Sequence, residues 1–184
     1  MRHVSSFLIL AAACVSLSAC EKTAPPSSTG GSAPVATAPD DTPAGAAWLL
    51  AVEPPDAKSV VETKAAANEG DRVVVRARIG GRRDPLTAGS PVFTVMDLAV
   101  PHCGENPEDK CASPWDYCCE TPDTKKANAA TVQIVGSNGK PIPGDAASGG
   151  LRPLDEVVLV GTIGPRPTPD VLTVIATGVF RVGN

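Results

Sequence analysis

The sequence predicts a mainly β fold, a five-stranded barrel with one short N-terminal helix and a cysteine-rich loop insertion, and three observations carry that expectation. Short runs rich in β-branched residues recur from residue 71 to the end of the chain, some of them alternating with period two. Aromatics make up only 3% of the residues, so a core has to be assembled from Val, Ile, Leu and Ala. Four of the six cysteines fall in one stretch, PHCGENPEDKCASPWDYCC at 101–119, broken by Pro and Gly and without a sustained helical period.

The elements follow in order. Trp48-Leu49-Leu50 opens the ordered region and is expected to pack onto it. In 55–70, Ala57, Val60, Val61 and Ala65 lie near helical spacing, with Gly70 as a stop, which predicts one short helix. In 71–82, Val73, Val75, Ala77 and Ile79 fall on one side while Val74, Arg76 and Arg78 fall on the other, the pattern of a strand with one buried face. A second strand over 91–100 leads directly into the cysteines. A third, over 130–136, is followed by the turn residues Ser137, Asn138 and Gly139. The fourth and fifth occupy 155–166 and 170–182, joined by a stiff link containing Pro165, Pro167 and Pro169. The first and fourth strands share D-x-V-V-x-x-x-x-I-G-x-R. Nothing similar lies between them, so they read as two strands with one job in a single barrel, not as a repeat array.

Residues 1–19 carry Arg2, an apolar run from Val4 to Val15 and then small residues, as a secretory signal does; the run is too short for a permanent membrane span. Leu17-Ser18-Ala19-Cys20 is similar to the lipobox of bacterial lipoproteins. That resemblance implies cleavage before Cys20, lipidation of Cys20 and loss of Cys14 with the leader. Each buried methylene of the acyl chains contributes about 0.8 kcal/mol, enough for durable anchoring. The resemblance places the protein in the cell envelope, held to the membrane by its lipid. Glu21 is not the aspartate associated with inner-membrane retention, which favours the outer membrane. From residue 21 to 47 the chain is Pro-, Ala-, Ser- and Thr-rich without periodicity, a flexible tether with a mean reach of about 30 Å. The domain proper is therefore 48–184.

Cys103, Cys111, Cys118 and Cys119 are separated by seven, six and zero residues. Zinc knuckles use C-x₂₋₄-C, which none of these spacings supplies. Neighbouring cysteines in an extended backbone point apart, and a bridge between them is strained. In an oxidising compartment the expectation is two disulfides within 101–123, either 103–118 with 111–119 or 103–119 with 111–118. The alternative is a zinc or copper site on His102, Cys103, Cys111, Cys118 and Cys119, with Met96 as a further sulfur donor; otherwise no cofactor is expected.

The helix before GDRVVVRARIGG, the five strands and the fourth strand VVLVGTIG together resemble the OB-fold, in particular the small extracytoplasmic OB-fold domains of bacterial envelope proteins. The resemblance covers 60–182. It departs from that pattern at Ala77, where a strand glycine is usual, and in the long insertion between strands two and three. It implies a ligand face on strands two and three, next to the cysteine loop.

Function classes narrow accordingly. Arg76, Arg78 and Arg82, with Trp115 and Tyr117, are the candidate ligand-binding residues for an oligonucleotide or oligosaccharide on that face. A net charge of −4 and few aromatics count against nucleic acid. No G-x-S-x-G, phosphate loop or H-E-x-x-H is present, and His102 is the single histidine beyond the leader, so no catalytic residue is nominated. The acids of the loop lack the D-x-D-x-D-G order of calcium loops. The expected role is non-catalytic binding or structure in the envelope, with an envelope protein or polymer as partner.

Overall fold

The computed structural model describes residues 47–183; the expected leader, Cys20 and nearly all of the expected tether lie outside the described residues. Five strands close into a barrel in the order β1-β2-β3-β5-β4: β1 (Arg72–Ile79), β2 (Val92–Met96), β3 (Ala129–Ile134), β4 (Glu156–Ile163) and β5 (Thr173–Arg181). All neighbours run antiparallel except β3 and β5, which are parallel. This is the mainly β, five-stranded barrel that the sequence predicts.

The period-two pattern of β1 faces the core as anticipated, with Val75, Ala77 and Ile79 buried inside. The two look-alike segments are barrel neighbours. β1 pairs with β4 over seven positions, Val75 opposite Leu159 and Ala77 opposite Val157. Phe93, Val132, Leu159 and Val174 complete a largely aliphatic interior in which Phe93 is an aromatic member. On β5 one extra residue, Thr177, falls between Ala176, opposite Gly161, and Gly178, opposite Val160. Such a bulge bends the strand and helps the sheet close. Gly161 is required there, since a Cβ on it would sit 2.1 Å from the Ile175 carbonyl oxygen.

Ahead of the barrel, α1 (Val60–Ala66) begins with a capping box in which Ser59 and Glu62 satisfy each other's backbone N–H. It ends four residues before Gly70, which takes a left-handed turn instead. Trp48 is buried against the barrel, and Leu49 bridges β5 at Val179. The sequence pattern did not foresee α2 (Pro122–Asn128), a short helix that returns the insertion to β3.

Gly161→Ala is expected to destabilise the domain by about 1–3 kcal/mol, because β5 must move to admit the methyl. A denaturant midpoint unchanged from the parent chain would refute this account of the bulge.

Candidate metal centre

Residues 97–128 leave the barrel between β2 and β3 and return to it. Both feet are fastened to α1. Asp97, buried at the end of β2, accepts hydrogen bonds from the N–H groups of Val61 and Ala99. Lys64 donates to the carbonyls of Lys126 and Ala127 at the end of α2, a favourable site for a cation.

Above the feet lies a second, smaller core. Met96 points away from the barrel interior yet is fully buried, because Tyr117, Val100 and Ala129 cover it. Two glycines at the end of β1 let the insertion come this close. A Cβ on Gly80 would meet the Trp115 carbonyl oxygen at 2.7 Å and the Tyr117 ring at 2.8 Å, and Gly81 has φ +91 under the Met96 sulfur. Gly81 N–H donates to Trp115 O. The outer face of β2 is thus largely occupied by the chain itself.

On this seat two 3₁₀ turns, Cys103–Glu105 and Pro114–Asp116, face each other and gather the cysteines. The first is capped by His102, whose Nδ1 accepts from the Gly104 N–H. The second ends at Tyr117 in a left-handed conformation, and the Tyr117 carbonyl then accepts from the Glu120 N–H. Cys118 and Cys119 occupy the middle of that turn, so adjacent side chains share a side instead of pointing apart.

The result is a knot of four sulfurs all within 4.8 Å of one another. Cys118 Sγ lies 3.0 Å from Cys111 Sγ, 3.5 Å from Cys103 Sγ and 3.9 Å from Cys119 Sγ. The expected pair of disulfides is not what the structure holds. All four are free thiols, and no separation approaches the ~2.05 Å of an S–S bond. Nor do His102 and Met96 join the sulfurs: His102 caps its turn and approaches Glu105, and Met96 lies in the small core.

Burial alone would push the Cys103 thiol up, but the Cys119 N–H and the thiols of Cys119, Cys118 and Cys111 donate to its sulfur and hold it below the ordinary range. The others respond in the opposite sense. Cys118 is raised, chiefly because its proton is shared with Cys111 and then Cys103, and Cys119 is pushed up to about 12, by Cys103 first and Asp109 next. Four thiolates held this close together call for a cation.

A metal–sulfur distance of about 2.3 Å places the ligands of a tetrahedral site about 3.8 Å apart. The separations of 3.0, 3.5 and 3.9 Å bracket that spacing, and all four sulfurs lie within 4.8 Å of one another. The knot sits at the surface, with Cys103 buried, Cys111 half-buried and Cys118 and Cys119 exposed.

The candidate ligand-binding residues are not assembled into a groove. Arg76 pairs with Glu156 and Glu53, and Arg78 with Glu105. Trp115 is half-buried and donates its indole N–H to Arg83 O. Tyr117 is fully buried; its hydroxyl faces the Arg78 guanidinium without a well-formed hydrogen bond. Arg82 alone of the five is exposed. No aromatic of this set is free to stack on a base.

Comparison with protein-family models, with curated proteins and with solved structures returned no match to this chain.

Gly80→Ala should lift the insertion from its seat while leaving the barrel closed. Alkylation of the buried Cys103 should then quicken by at least about tenfold with the β-sheet circular dichroism unchanged, the signature of local opening. Equal alkylation rates would show that the glycine does not seat the loop.

Proposed function

We propose that this is a membrane-anchored envelope lipoprotein whose OB-like barrel carries a tetrathiolate zinc site on Cys103, Cys111, Cys118 and Cys119. One observation supports the metal above all: four cysteine sulfurs converge within 4.8 Å, whereas two disulfides would need two close pairs. A set of four cysteine sulfurs, with His102 and Met96 held elsewhere, suits zinc better than a copper site with histidine or thioether donors. All four positions are taken by protein, which leaves no place for an activated water. The reading is accordingly structural or ion-holding, without chemistry at the metal.

The anchor rests on the leader and on Leu17-Ser18-Ala19-Cys20. A tether of about 30 Å would hold the barrel clear of the lipid headgroups. The arginine ion pairs and covered β2 face speak against an oligonucleotide or glycan as the main ligand.

Reduced, refolded protein should bind one zinc per chain by elemental analysis and give the intense thiolate charge-transfer band with cobalt(II). Cys103→Ser should weaken binding by at least about 100-fold, since loss of a direct ligand exceeds the effect of an outer-shell change. A reduced chain that binds neither ion sinks the metal reading.

Cys20→Ser should abolish acyl labelling and leave an uncleaved precursor. Labelling that persists in the variant would reject the anchor.

A further inference from the structure

The sulfur knot is unevenly exposed, and that asymmetry carries a consequence for an ion held there. Cys118 is both exposed and central, with the other three sulfurs 3.0, 3.5 and 3.9 Å away, while Cys103 is 4% exposed. An oxidant arriving from solvent meets in Cys118 an exposed sulfur whose shortest approach, 3.0 Å, is to Cys111.

We infer that the site empties by thiol–disulfide exchange, with Cys118 attacking an external disulfide and Cys111 resolving the product; the inference rests on the metal reading above. In the first step the Cys118 thiolate attacks one sulfur of the external disulfide. That S–S bond breaks, one thiolate leaves and a mixed disulfide remains. In the second, the Cys111 sulfur, 3.0 Å away, attacks Cys118 and expels the other external thiolate. Two electrons pass from the two protein thiolates to the external disulfide, which becomes two thiolates, and the ion loses two of its four ligands. A second equivalent of disulfide joins Cys103 and Cys119, whose sulfurs lie within 4.8 Å of each other, and the ion is released. Attack by Cys119 on Cys118 starts from 3.9 Å and would close the strained ring of adjacent cysteines, so it loses to Cys111.

Glutathione disulfide added to the zinc-loaded, lipidated chain in detergent tests this, with zinc binding to the reduced chain confirmed beforehand. Free zinc should appear in step with a first bridge mapped to Cys111 and Cys118. The end product should lie about 4 Da below the reduced metal-free chain, one hydrogen per thiol, with bound zinc down by more than about tenfold. Dithiothreitol should restore zinc binding. Zinc retained under excess oxidant with intact thiols overturns the inference and leaves the metal reading standing. So does a first bridge elsewhere, whether between Cys118 and Cys119 or between two chains. A reduced chain that binds no zinc overturns both, before any oxidant is added.

Discussion

The burial of Tyr117 against Met96 beside Gly80 is the contact on which the insertion depends. It seats a long excursion on the outer surface of a barrel whose interior is already filled. Tyr117 holds a left-handed backbone, φ 54, at a cost of about 1–3 kcal/mol, and its hydroxyl lacks a proper partner. Removing 150–250 Å² of aromatic surface from water contributes about 4 kcal/mol or more. The burial wins, though not by a margin that would hold some thirty residues alone. The clamps at Asp97 and Lys64 and the sulfur knot supply the remaining ties.

That same left-handed residue explains the geometry of the cysteines. It turns the chain so that the next two side chains emerge together, and the hydrogen bond from Glu120 N–H to Tyr117 O closes the turn. A single φ value converts a vicinal pair, which in a strand would serve two separate sites, into neighbours in one site.

Much of the barrel was legible in the sequence because its signals are local. Val75, Ala77 and Ile79 alternate with polar residues, and the strand they define is the observed β1. The shared D-x-V-V-x-x-x-x-I-G-x-R pattern of β1 and β4 marked two strands that proved to be partners. The insertion was harder to read. Its cysteines follow no knuckle spacing, and their convergence depends on Gly80, Met96 and Tyr117, which lie far apart in the chain. The arginines of β1 looked like a basic face because their carboxylate partners, Glu53, Glu105 and Glu156, come from three distant segments.

Both feet of the excursion are pinned to one helix, Asp97 to the start of α1 and the end of α2 to Lys64. Between Cys103 and Cys111, by contrast, residues such as Pro107, Glu108 and Lys110 face solvent and touch neither core. The architecture thereby separates a fixed base from a replaceable tip. Lineages or designers could lengthen that tip, or graft a recognition peptide into it, and the barrel beneath would have no reason to register the change.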